Sequence, residues 1–117
     1  MNSKILIYVA IGIAAVIILK RLLGGGKVAL SIVKQKLESG ATIVDVRTPD
    51  EFRVGAYPGA KNIPLADLAR RLSEIPRDKP VVLYCASGAR SSAAAHAMKQ
   101  AGYVDVINAG GLADMPR

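Results

Sequence analysis

The 117-residue chain contains one cysteine, Cys85, and one histidine, His96. A lone thiol excludes an intramolecular disulfide, and without a Cys/His cluster there is no structural zinc or iron–sulfur centre built from those ligands. No basic block interleaved with aromatic residues occurs, so nothing in the pattern supports nucleic-acid binding. Internal repeats are absent, and Gly24–Gly26 is the only low-complexity stretch. Charge is missing from Ile5 to Leu19, where almost every side chain is aliphatic, so the 51% hydrophobic content overstates how apolar the remainder is. The length suits one small domain and not two.

The formal charge is +7, but from Gly24 onward thirteen Lys/Arg face nine Asp/Glu, an excess of 13 − 9 = +4. An anionic substrate or an anionic lipid surface fits that mild bias. The run Ile5–Leu19 is 15 residues long, about 22 Å as a helix against the roughly 30 Å of a bilayer core. Continuing through Lys20 and Arg21 to Leu23 gives 19 residues, with both cations snorkelling to the headgroups. The expectation is a single transmembrane helix over residues 1–23, uncleaved, which makes the lipid bilayer a partner. A secretory signal peptide is the competing reading, which would leave the domain periplasmic or secreted, but KRLLGGGK offers no convincing small-x-small cleavage site. Lys20, Arg21 and Lys27 on the carboxyl side against Lys4 on the amino side place the folded part in the cytoplasm. The linker Gly24–Gly26 is too short to let residues 27–117 leave the bilayer surface.

Within residues 27–117, helices and strands alternate. KVALSIVKQKLES puts Val28, Ala29, Ile32, Val33 and Leu37 on one helical face before Gly40. ATIVDV reads as a buried strand, residues 47–61 as a loop, and NIP as a short extended piece. PLADLARRLSEIP repeats Leu65, Leu68, Ala69 and Leu72 at helical spacing, with Arg70, Arg71 and Glu74 outward and Pro76 closing it. VVLYC is a strand covered on both faces, SSAAAHAMKQA a helix ended by Gly102, and VDVIN a last strand. That order predicts an α/β domain in three layers, with a mainly parallel central sheet flanked by helices. In such sheets ligands sit at the carboxyl ends of strands, where Cys85 lies.

Only the thiolate of a cysteine is nucleophilic, and a free thiol with a pKa of about 8.5 is mostly protonated at neutral pH. In CASGAR the loop Ala86, Ser87, Gly88 and Ala89 is small enough for its N–H groups to curl around one anionic atom. A helix beginning near Arg90 turns its positive end to the same point, Arg90 adds a cation, and Ser91 and Ser92 add hydroxyls. His96 lies too far along that helix to act as a base, so oriented backbone dipoles are the better account of activation. Inert packing is the usual fate of a buried free cysteine. Packing alone does not require a glycine-containing loop of small residues ending in arginine.

Three ordered motifs, IVDVRTPDEFRVGAYPGAKNIPL, VVLYCASGARSS and GYVDVINAGGL, resemble the rhodanese-type sulfurtransferase domain across essentially all of residues 27–117, and the small single-domain thiosulfate sulfurtransferases match best. That resemblance implies ping-pong sulfur transfer with Cys85 as the catalytic residue. Cys85 would take the outer sulfur of a small anionic donor such as thiosulfate, release sulfite, hold a persulfide, and pass the sulfur to cyanide or a thiol. The loop N–H groups of Ala86, Ser87, Gly88, Ala89 and Arg90, with Ser91 beside them, would cradle the persulfide, and Arg90 would help bind the donor. No metal or organic cofactor is implied, and a protein acceptor is compatible with it. Four residues between Cys85 and Arg90 resemble the sulfurtransferases; five would resemble the phosphatase and arsenate-reducing relatives, whose cradle holds a larger oxyanion.

Relatives often carry histidine where this chain has Ala56, and an aromatic residue where it has Ala113, Asp114 and Met115. Asp45 and Arg47 read as a structural ion pair, with shaping of the donor's entrance the functional alternative. Lys61, Arg70 and Arg71 read as a solvated face, Met98 and Met115 as packing, and His96 as a surface or packing residue. The reading from a different class is a tethered persulfide carrier or partner-binding module with little turnover.

Overall fold

The computed structural model describes the backbone of residues 2–23 and 26–117, and the side chains of residues 2–19 and 26–117. Of the expected linker, Gly24 and Gly25 lie outside the described residues. Helix α1 (Ser3–Leu23) carries the apolar run, and its side chains are exposed, from Ile5 at 51% to Leu19 at 54%. Among the described residues, however, no helix is long and apolar enough to cross a membrane. The expectation of a transmembrane helix over residues 1–23 is therefore not upheld, nor is the lipid contact that rested on it. The 15 apolar residues fall short of the hydrocarbon core. The extension that would lengthen them, residues 20–23, begins with two cations, and its side chains lie outside the described set.

From Leu30 the chain builds the expected alternation: α2 (Leu30–Glu38), β1 (Thr42–Asp45), α3 (Pro49–Val54), β2 (Lys61–Asn62), α4 (Leu68–Arg71), β3 (Val81–Cys85), α5 (Ala89–Gln100) and β4 (Val106–Gly111). The four strands form one parallel sheet in the order β2-β1-β3-β4. Parallel neighbours need crossover connections, and each crossover here carries a helix. Every residue of β3 is buried because both faces of the sheet are covered. On one face Val33 of α2 joins Val82, Tyr84, Ala109 and Met115. On the other, Leu68 of α4 and Ala94, Ala95 and Met98 of α5 meet Val81, Leu83 and Cys85. Alternation along VVLYC thus sends Tyr84 to one layer and Cys85 to the other.

Three segments depart from the sequence expectation. The loop at 47–61 contains α3, whose six residues are too few to show a period. Its signal is local: Thr48 accepts from the Glu51 N–H, the Glu51 carboxylate accepts from the Thr48 N–H, and Pro49 sits in the first turn. The helix expected over 64–76 is broken into 3-10 turns at Leu65–Asp67 and Leu72–Glu74 around the four-residue α4. Tyr103 explains the end, because its hydroxyl serves the carbonyls of Leu72 and Ile75 at 2.8 and 2.6 Å, and Pro76 disfavours helix at Ile75. Strand β4 runs on to Gly111. The register passes from Leu83↔Asn108 to Cys85↔Gly111, so β4 uses one more residue than β3. That bulge, with Gly110 at φ +97°, brings a diglycine under the loop that follows Cys85.

Candidate active site

Cys85 ends β3 with no solvent exposure, and its Sγ faces the turn into α5. The Gly88 N–H donates to Sγ at 3.0 Å, and the Ser91 hydroxyl lies 3.3 Å away. Burial raises the thiol pKa and is the largest single effect. The Ser91 hydroxyl and the N–H groups of Ser91, Ser87 and Gly88 outweigh it together, so the thiol titrates below its ordinary value. Of the expected cradle, Gly88 and Ser91 are buried against the sulfur, while Ala86, Ser87 and Ala89 are exposed and, of these three, Ser87 contributes its N–H to the thiol.

Glycine is required where the cradle meets β4. Gly88 adopts φ +98°, and a Cβ there would also sit 3.3 Å from the Gly110 Cα. A Cβ on Gly111 would collide with the Ala86 carbonyl oxygen and stand 3.0 Å from its carbon. The loop therefore lies directly on the diglycine. Behind it, Asn108 reaches from β4 to the Gly88 carbonyl at 3.1 Å and accepts the Gly110 N–H at 2.9 Å and the Ser91 hydroxyl at 2.6 Å. These contacts make α5, β4 and the loop one hydrogen-bonded unit around the sulfur.

Arg90 stands at the mouth, about one-third exposed, and it is already engaged. Its Nη1 and Nη2 donate to the two carboxylate oxygens of Glu51 at 2.7 and 3.0 Å. The guanidinium, followed by the Thr48 N–H, lowers the Glu51 pKa to about 2. An anion at the mouth thus meets a cation whose charge is largely balanced. Glu51 and Asn108 are the site residues that sequence reasoning missed. Glu51 was legible only as the third residue of a helix cap, and Asn108 gave no signal within an apolar strand.

Asp45 and Arg47 form a buried structural pair. Arg47 Nη2 lies 2.7 Å from Asp45 Oδ2 and 2.7 Å from the Gly55 carbonyl. The Tyr84 hydroxyl donates to Asp45 at 2.7 Å and accepts the Tyr57 N–H at 3.0 Å. Burial, reinforced by the bond to Asp45 and opposed by the Tyr57 N–H, pushes the Tyr84 pKa up to about 12. This network ties β1 and β3 to the 55–57 loop. Ala56 of that loop lines a cavity of ≈ 570 Å³ with Tyr57, Leu112 and Met115. Met98 and Met115 are buried, as expected, and His96 is half-buried on α5. Lys61 and Arg71 pair with Glu74, and Arg70 with Asp67.

A family model described as the rhodanese-like domain matches residues 29–114. A sulfurtransferase of Allochromatium vinosum is 47% identical over 66 residues, covering 56% of this chain and 62% of that protein, which is less than two thirds of its length. The thiosulfate sulfurtransferase PspE of Escherichia coli is 38% identical over 74 residues, 62% of this chain and 71% of that one. Among solved structures, a rhodanese with anions from E. coli superposes with a TM-score of 0.61 at 35% identity, over 65% of this chain and 94% of that one. With a match running from the cap of α2 to the turn after β4, the chain belongs to the rhodanese-like domain family.

Proposed function

We propose that the protein is a sulfurtransferase that carries sulfane sulfur as a persulfide on Cys85, taking it from thiosulfate or a similar donor and giving it to cyanide or a thiol. The observation that carries this reading is the Cys85 Sγ, held below its ordinary pKa by the Gly88 N–H and the Ser91 hydroxyl at the head of α5. In the first half-reaction the thiolate attacks the outer sulfur of the donor. The new S–S bond forms as the donor's S–S bond breaks, its electron pair leaving with sulfite. The negative charge then rests on the outer persulfide sulfur, where the loop N–H groups and the end of α5 stabilise it. In the second half-reaction the acceptor attacks that outer sulfur, and the pair of the broken S–S bond returns to Cys85 as thiolate. A loop of four residues between Cys85 and Arg90 leaves room for one sulfur and disfavours a tetrahedral oxyanion.

A second reading, a carrier that holds sulfur for a protein partner with little turnover, gains support from the Arg90–Glu51 pair, which weakens the pull on small anions. Intact-mass analysis after incubation with thiosulfate tests the common step. The expected result is addition of one sulfur atom to the wild type and none to Cys85→Ala; an unmodified wild type refutes both readings. Rapid thiocyanate formation on adding cyanide then selects the enzyme, and a stable adduct without turnover selects the carrier.

A further inference from the structure

The Ser91 hydroxyl has one hydrogen and three acceptors around it: Asn108 Oδ1 at 2.6 Å, Cys85 Sγ at 3.3 Å and the Gly110 carbonyl at 3.4 Å. Ser91 and Asn108 are both buried, so water does not compete for that hydrogen. The amide of Asn108 has only one sensible orientation. Its oxygen must face the Gly110 N–H at 2.9 Å and its nitrogen the Gly88 carbonyl at 3.1 Å; turning it over would set donor against donor and oxygen against oxygen. Toward Ser91, therefore, Asn108 presents an acceptor. The 2.6 Å contact is a full O–H···O bond in which Ser91 donates.

While Ser91 donates to Asn108, its oxygen turns lone pairs to the sulfur. A thiol S–H then has an acceptor in Ser91, and the chain reads Cys85 to Ser91 to Asn108. A thiolate has no hydrogen to give and needs a donor, which Ser91 supplies by rotating its O–H to Sγ and leaving Asn108. In the persulfide the charge sits on the outer sulfur and Sγ is neutral, so the hydroxyl returns to Asn108.

We propose that Asn108 is a positioning residue that switches the Ser91 hydroxyl between sulfur states, favouring the thiol and the persulfide over the free thiolate. Ionising the thiol gives its proton to solvent; between thiolate and persulfide no proton changes heavy atoms, and one O–H bond rotates as each sulfur arrives and again as it leaves. The role in loading rests on the persulfide reading of Cys85, whereas the coupling to the thiolate does not and is measured without any sulfur donor.

The test compares the full-length wild type with Ser91→Ala, Asn108→Leu and the double variant, following iodoacetamide alkylation of Cys85 by mass across pH. Ser91→Ala loses a bond to a charged sulfur, so alkylation below the midpoint slows about tenfold and the midpoint moves up. Asn108→Leu removes the competing acceptor, so alkylation speeds up about threefold and the midpoint moves down. In the Ser91→Ala background the leucine has no such effect, because Asn108 acts through the hydroxyl. An upward shift in Asn108→Leu, or the same shift with and without Ser91, overturns the proposal. If Asn108→Leu fails to fold, neutron diffraction of the wild type decides: the Ser91 deuterium points to Asn108 below the thiol midpoint and to Sγ above it, and a fixed direction overturns the switch. Failure of thiosulfate to load sulfur, scored separately, counts against the persulfide reading alone.

Discussion

Gly111→Ala isolates the contact between β4 and the loop after Cys85. Gly111 has φ −92°, a conformation that alanine adopts freely, so no backbone strain accompanies the change. What the new methyl meets is the Ala86 peptide, with its carbonyl carbon at 3.0 Å and its oxygen closer still. Ordinary carbon contacts are about 3.5–4.0 Å, so the two backbones must part by roughly 0.5–1 Å. Strand β4 does not yield easily, because the Gly111 N–H is held by Asp114 at 2.8 Å and Asp114 is paired with Lys27 at 2.9 Å. The loop moves instead, carrying the N–H groups that face Sγ. A displacement near 1 Å at a reacting centre costs about 10²-fold in rate, and overpacking of this kind costs about 1–3 kcal/mol in stability. Thiocyanate formation from thiosulfate and cyanide, run beside urea denaturation, reads both numbers. Gly55→Ala is the control, since Gly55 has φ 176° and open space around its Cβ position. Wild-type rate and stability in Gly111→Ala would show that the loop does not rest on the diglycine, and the reasoning would fail.

Glu51→Gln releases Arg90 from its carboxylate partner, and the expected result is a KM for thiosulfate several-fold lower, with steeper salt dependence; an unchanged KM refutes a balanced mouth. Because Glu51 stays ionised down to about 2, that difference persists at every pH where the protein is assayed. Alkylation of wild-type Cys85 rises with pH to a plateau whose midpoint lies below that of the same thiol in the urea-unfolded chain, since its folded pKa is depressed; a folded midpoint at or above the unfolded one contradicts the cradle. Tyr84→Phe removes a buried hydroxyl bonded to Asp45 and to the Tyr57 N–H. It should destabilise the fold by about 1–3 kcal/mol while leaving Cys85 alkylation unchanged. Equal stability by urea titration would mean that this network does not hold the 55–57 loop.

The strands and the long α5 were legible because burial on both faces writes an unbroken apolar run, as in VVLYC, and because a helix leaves a period. Helix α3 was not legible as a helix. Six residues carry no period, and only the cap formed by Thr48, Pro49 and Glu51 marks it. The helix expected over 64–76 failed for the opposite reason: its leucines keep helical spacing, but Tyr103, far along the chain, takes two of its carbonyls. In the candidate site, Cys85, the small loop and Arg90 stood together in CASGAR, since a strand-loop-helix turn is local in sequence.

By itself the sequence determined the alternation of strands and helices, the end of β3 as the place for a candidate site, and a four-residue loop of small side chains between Cys85 and Arg90. Those properties depend on residues that are neighbours along the chain. Tertiary structure decided the partners of that loop. Glu51 comes from α3 to balance Arg90, and Asn108, Gly110 and Gly111 come from a bulge in β4 to seat Ser91 and Ala86. The acid lies 39 residues before its arginine and the amide 17 after its serine. Contacts of that span follow from strand order and register, which the apolar runs do not encode.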